Sequence, residues 1–228
     1  MPLTAISIGA STVAFLIYLY VSNTTFVEKR FAKNHITSAQ TRQILFNRFL
    51  GFFLFGIIPF LIISNISKLS AAKLGLGFGF SLNTALIVIA IAIVPVIVNF
   101  FVARTPDNLA MYPQIRARNW DKSLLFISAL SWIMYLLGYE TMLRGVLFYS
   151  CLSEMSLWPA IMINTSIYAL IHIPKGMKET LGSIPMGIIL CLLTFYTGSI
   201  WAAFVVHCSL ALTNEWFSIK YSSELCVE

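Results

Sequence analysis

Residues Ser123–Ser150 read SLLFISALSWIMYLLGYETMLRGVLFYS. A helix rises about 1.5 Å per residue and needs about 20 apolar residues to cross the hydrocarbon core of a bilayer. This run exceeds that length and carries two charged residues, Glu140 and Arg144. The run is predicted to be a membrane-spanning helix. Glu140 and Arg144 are four apart, so they share one helix face and can pair. A charge at membrane depth costs a few kcal/mol or more and faces a cavity or a partner. An ion pair that pins helices and a functional site are both open readings at this point.

The rest of the chain repeats the apolar pattern. It is 58% hydrophobic and 11% charged, which excludes an ordinary soluble domain. Further spans are predicted at about Leu3–Val21, Phe49–Ile63, Phe80–Val102, Trp158–His172, Leu181–Tyr196 and Ile200–Ile219. Pro59 and Pro95 are expected to kink their helices, and Pro159 suits a first turn. The loop up to Arg48 reads as basic and polar, and Ser64–Gly79 as a Gly- and Ser-containing connection. Thr197-Gly198-Ser199 reads as a tight turn. The expected fold is all-α, a polytopic membrane helical bundle of about seven transmembrane helices, forming a single membrane domain over residues 1–228.

Charge sets the orientation. The net charge of +6 fits loops facing the cytoplasm better than a nucleic-acid surface, since no basic patch interleaved with aromatics is present. Met-Pro-Leu-Thr lacks the basic start of a signal peptide, so the first helix is expected to be retained. Glu28, Lys29, Arg30 and Lys33 follow it. With the N-terminus outside, the inner loops and tail hold Lys29, Arg30, Lys33, Arg42, Arg48, Arg104, Arg116, Arg118, Lys122, Lys175, Lys178 and Lys220. The outer loops hold Lys68 and Lys73. This asymmetry predicts a cytoplasmic C-terminus and fits a bacterial inner membrane. The cysteines Cys151, Cys191, Cys208 and Cys226 form no CxxC pair and read as small hydrophobes.

Two histidines join Glu140 as candidates for acid–base chemistry: His172 and His207, each in a later apolar segment. From the helical rise, Glu140, His172 and His207 lie roughly 15, 20 and 12 Å below the outer ends of their helices, depths that can converge. Each has a plainer reading. His172 precedes Ile173-Pro174-Lys175 and can cap carbonyls. His207 can be a buried histidine bonded to a neighbouring helix. Tyr168 shares the face of His172, one turn earlier, and can be packing. Asn214, two turns after His207, can bond a neighbouring helix. Glu215, near the inner end of its segment, is expected to be solvated.

The order ExxxRG (Glu140, Arg144, Gly145), YxxxH (Tyr168, His172), then a TGS turn, Ile200-Trp201 and His207 resembles the CPBP family. That family contains CAAX-type prenyl-protein proteases and bacteriocin-processing (Abi) relatives. Its marks are EExxxR, FxxxH and HxxxN or HxxxD on successive core helices, and the resemblance covers roughly residues 120–217. Two positions differ: Tyr139 stands for the first Glu, and Ala211 for the Asn or Asp four after the last His. The resemblance implies an intramembrane endopeptidase in which glutamate and histidine activate water and a second histidine stabilises the oxyanion. Carried onto this chain, Glu140 takes the base role, with His172 beside it and His207 as oxyanion donor. Arg144 orients Glu140, and the Tyr139 hydroxyl supplies a hydrogen bond. Asn214 replaces the missing Asn only if its helix bends.

Zinc held by Glu140, His172 and His207 is the alternative chemistry, and the reason the family is called metalloproteases. There is no HExxH, and a metal-free mechanism is favoured. The expected substrate is a membrane-anchored peptide or protein within the lipid bilayer, with no nucleic-acid partner. Two other functions stay open. A degenerate member would bind a membrane partner as a scaffold or immunity factor, favoured by Tyr139 and Ala211. A small transporter would relay protons through Glu and His.

Overall fold

The computed structural model describes residues 1–23, 36–79 and 81–227. The charges Glu28, Lys29, Arg30 and Lys33, placed by the sequence reading in an inner loop, lie outside the described residues. The chain folds as α1 (Leu3–Ser22), α2 (Ile36–Gly51), a π-helical segment (Phe52–Ile57), α3 (Ile58–Ser67), α4 (Leu82–Val102) and the short α5 (Pro106–Met111). A two-residue strand β1 (Asn119–Trp120) precedes α6 (Lys122–Glu140), a second π segment (Thr141–Phe148) and α7 (Tyr149–Leu152). Then come α8 (Leu157–His172), α9 (Met177–Thr197), α10 (Ile200–Tyr221) and β2 (Cys226–Val227). The only sheet among the described residues is β1 paired parallel with β2, which ties the tail to the start of α6.

Among the described residues, six helical runs are long and apolar enough to cross a membrane: 3–22, 39–67, 82–102, 122–152, 157–175 and 177–197. The all-α polytopic reading therefore holds, and the chain is an integral membrane protein. The seventh expected span, α10, is 22 residues long but is not among the six. It carries His207, Asn214 and Glu215, and it packs against α4, α6 and α9. Its polar residues turn toward protein, which lowers its hydropathy without lipid having to accept them.

The second span differs most from expectation. Residues read as a polar loop up to Arg48 are helical from Ile36, and helix continues through α3 to Ser67. The reason is Arg48 itself. It is buried, donating to Ser128 O (3.2 Å), Ser128 Oγ (3.1 Å), Ser131 Oγ (3.0 Å) and Gln114 Oε1 (3.1 Å), and pairing with Glu215 Oε1 at 3.3 Å. Its guanidinium also stacks over Trp132, 4.1 Å from the ring centre. The charge thus belongs to a helix contact, where partners replace water. Glu215, expected to be solvated, is its buried partner and also accepts from Ser128 Oγ at 2.7 Å.

In lipid, helices associate through close packing and hydrogen bonds more than through the hydrophobic effect. α1 accordingly buries a stripe of small residues, Thr4, Ser7, Ser11 and Ala14. The crossing that positions α6 is tighter still. A Cβ added to Gly138 would lie 2.7 Å from Phe52 Cα and 2.8 Å from Phe52 O, so only glycine fits. Gly56 meets Gly138 Cα in the same way, at 2.8 Å. At the other end of the site, the Gly198 turn (φ 67°) admits α10 directly after α9. Ile200 N donates to Gly75 O (2.9 Å) and Ser199 Oγ to Gly77 O (3.1 Å), so the 68–77 connection docks on the start of α10.

Candidate active site

The site grows from the junction of α6 with the π segment that follows it. An α-helix that widens to π leaves carbonyls off the regular ladder. Asn164 on α8 takes one of them, donating Nδ2–H to Leu143 O at 2.6 Å, while Cys191 Sγ donates to Asn164 Oδ1 at 3.2 Å. This bond fixes the π segment between Glu140 and Arg144 against α8 and α9. Burial of a backbone carbonyl without such a partner would cost several kcal/mol in lipid.

Glu140 and Arg144 are both fully buried. Arg144 Nη1 lies 3.4 Å from Glu140 Oε1, and Nε lies 3.4 Å from Oε2. These are long contacts, and Nε and Nη2 fall outside hydrogen-bond geometry. Charge attraction in a fully buried setting holds the pair, helped by the Tyr168 ring 4.6 Å from the guanidinium carbon.

The shorter bond of Glu140 goes to α10: His207 Nδ1 and Glu140 Oε1 are 2.6 Å apart. His172, at the end of α8, places Nδ1 2.8 Å from Tyr168 O. A carbonyl and a carboxylate only accept, so each imidazole donates from Nδ1 and, in its neutral form, leaves Nε2 unprotonated as an acceptor. His172 does bond a carbonyl of its own helix, as the plainer reading allowed. The same bond fixes its tautomer. The two imidazoles sit around the tyrosines, with ring centres of Tyr139 5.8 Å from His207 and 6.4 Å from His172. Tyr168 lies 6.1 Å from His207 and 4.5 Å from His172. The Tyr139 hydroxyl is buried without a hydrogen-bond partner. His172 and His207 are each 7% exposed, whereas Glu140 is at 0%.

Glu140, Arg144, Tyr139, Tyr168, His172 and His207 thus come together from three helical runs. Asn214 does not join them: its side-chain oxygen is buried without a hydrogen-bond partner. Ala211, one turn past His207, packs against the Tyr112, Trp132 and Leu136 cluster, so no amide stands there. Asn164 escaped the sequence reading, although Asn164, Tyr168 and His172 recur every four residues and mark one face of α8. Among the described residues no three His, Cys, Asp or Glu side chains are grouped to hold a metal ion. Both imidazoles use Nδ1 for a protein contact, His207 to Glu140 and His172 to the Tyr168 carbonyl, which leaves Nε2 as the ring nitrogen open to a water, a substrate or a metal.

Residues 120–213 match the family model described as type II CAAX prenyl endopeptidase Rce1-like. The resemblance to the CAAX-protease family, read from the three motifs, is borne out over this stretch. Neither the curated proteins nor the solved structures give a match.

Proposed function

We propose that this chain, similar over residues 120–213 to type II CAAX prenyl endopeptidases, is an intramembrane endopeptidase that hydrolyses a membrane-anchored peptide without a metal. The observation that carries the reading is the buried 2.6 Å bond between Glu140 and His207. It joins motifs 67 residues apart, and it orients an imidazole as carboxylates do in hydrolytic triads.

In this reading the roles implied by the resemblance shift: Glu140 Oε1 is engaged by His207 and Arg144, so the base role passes to Nε2 of His207. His207 Nε2 takes the proton as water attacks the scissile carbonyl, and Glu140 stabilises the imidazolium that forms. His172 Nε2 accepts the water's second hydrogen and aims its oxygen. The unpartnered hydroxyl of Tyr139 donates to the developing oxyanion, the place where a preorganised donor counts most. Collapse of the tetrahedral intermediate moves the His207 proton to the leaving amine. The products are a carboxylate and an amine. We place the catalytic core at residues 120–217 in a bacterial inner membrane, with the N-terminus outside.

A second reading is favoured by one observation. The rings of Tyr139 and Tyr168 pack between the histidines and leave each only 7% exposed, as a degenerate binding protein would. Purified protein in nanodiscs, given a panel of membrane-anchored peptides, separates the two. The protease reading expects cleavage by wild type and a fall of about 10²–10³ in Tyr139→Phe, the usual loss for one oxyanion donor. No cleavage by wild type, with activity appearing in Tyr139→Glu, would establish the binding protein instead.

A further inference from the structure

Far from Glu140, the first turns of α6 and the last turns of α10 border an apolar groove of about 700 Å³. Leu125, Phe126 and Ala129 form one wall, Trp216 and Ile219 the other, and Leu225 and Val227 of the tail close the end. The volume lies within the range of ~300–1,000 Å³ typical of small-ligand sites. Phe126 (68% exposed) and Trp216 (46%) are continuous with the lipid-facing surface of their helices. Lys220 is the one charged residue among the described residues lining the groove. Beyond Leu225, which lines both, lies a second pocket of about 370 Å³ containing Arg116, Arg118, Ser222 and Glu224.

The depth of this pair of pockets follows from the helices. α6 begins at Lys122 and α10 ends at Tyr221, so the arginines stand where the membrane gives way to water. Arg116 is held in place, donating Nη1–H to Leu109 O (2.9 Å) and Nη2–H to Ala110 O (2.7 Å). Carbonyls fix that guanidinium without neutralising it. None of Arg116, Arg118 and Lys220 forms an ion pair with a described carboxylate. Among the described residues, Glu224 is the one acidic side chain lining either pocket.

An apolar slot on the lipid face, continuous through one residue with a basic pocket at the membrane boundary, fits an amphiphile with an anionic head. We infer that this end of the bundle binds one anionic phospholipid, with an acyl chain along Phe126, Trp216 and Ile219 and its phosphate against Arg116, Arg118 and Lys220. Basic pockets between membrane helices recognise lipid head groups through this chemistry. The site is separate from the Glu140 cluster and does not depend on cleavage activity.

Native mass spectrometry tests it. The full chain is released from nanodiscs holding equal amounts of phosphatidylglycerol and phosphatidylcholine with identical acyl chains. One retained phosphatidylglycerol is expected. Arg118→Gln and Lys220→Gln should each lower its retention about fivefold, the worth of one basic residue at a membrane surface. Glu224→Gln should raise it. In parallel, phosphatidylglycerol brominated on its acyl chains should quench tryptophan emission more than brominated phosphatidylcholine, and Trp216→Phe should remove the difference. Arg118 is an exposed loop residue, so its variant retains the fold. Equal retention of the two lipids, or retention unchanged in the Arg118→Gln, Lys220→Gln double variant, would overturn the site and leave ordinary surface lipid only.

Discussion

Substituting Gly138 by alanine should loosen the bundle beside the reacting groups. The added methyl would lie 2.7 Å from Phe52 Cα, 2.8 Å from Phe52 O and 3.1 Å from Gly51 O. All three are backbone atoms, so no side chain can swing aside, and the α2–π run must move off α6. Overpacking of this kind costs about 1–3 kcal/mol. For a chain of this size that lowers the melting temperature by about 2–4 °C per kcal/mol. Gly9 and Gly182 provide the opposite sign. Both lie within helices, and a Cβ there meets nothing within 4 Å. Alanine at those positions should stabilise by about 0.5–1 kcal/mol, because it removes the entropy cost of a helical glycine. Thermal unfolding in nanodiscs, followed by tryptophan emission, would compare the three variants. Gly138 is two residues from Glu140, so Gly138→Ala should also depress peptide cleavage. A Gly138→Ala protein that melts with wild type, or with Gly9→Ala, would refute the claim that this crossing requires glycine.

Other outcomes follow from single contacts. Glu215→Leu strands Arg48 in the interior and should cost about 3–5 kcal/mol, while Arg48→Met with Glu215→Leu should recover most of it in the same unfolding assay. Asn164→Leu removes the donor to Leu143 O and should destabilise by about 1–3 kcal/mol, with a parallel loss of cleavage because the π segment carries Arg144. Glu154 accepts from Leu3 N and Thr4 N at the start of α1, and the hydrogen bonds from Thr4 and Leu3 hold its carboxyl below the usual glutamate range. A depressed folded value means the contact is present above the unfolded value near ~4.3 and is lost as pH falls through the folded one. Glu154→Gln should leave the global melt unchanged and speed amide exchange at Leu3 and Thr4 at pH 7, after correction for intrinsic rates. Unchanged exchange would remove Glu154 as the anchor of α1.

The parts of the fold that the sequence made legible are those written in local pattern. Glu140 and Arg144 declare their pairing by a spacing of four in an apolar run, and they do pair. His207 could be placed near Glu140 by its depth in α10 and by motif order, and the two bond. Arg48 and Glu215 were hidden for a physical reason. An arginine among Gln43 and Asn47 looks like a loop charge, and its partner lies 167 residues away. No periodicity reports a bond of that range. The two π segments were equally silent, since widening a helix by one residue per turn leaves composition untouched. Asn164 was legible in principle from its four-residue phase with Tyr168 and His172. Ala211 was read correctly as a missing amide, but the packing of α10 against Trp132 and Leu136 explains why an apolar residue suits that position.

In the proposed mechanism Glu140 acts through His207, to which it is bonded at 2.6 Å. The most direct test is the cleavage rate of one membrane-anchored peptide by wild type, Glu140→Gln, His207→Ala and the double variant, with and without a chelator. Residues that work as a unit lose activity together. Each single substitution should lower the rate by about 10³–10⁴, the double variant should fall no further, and the chelator should change nothing. Losses that multiply in the double variant, or a Glu140→Gln protein as active as wild type, would contradict the mechanism.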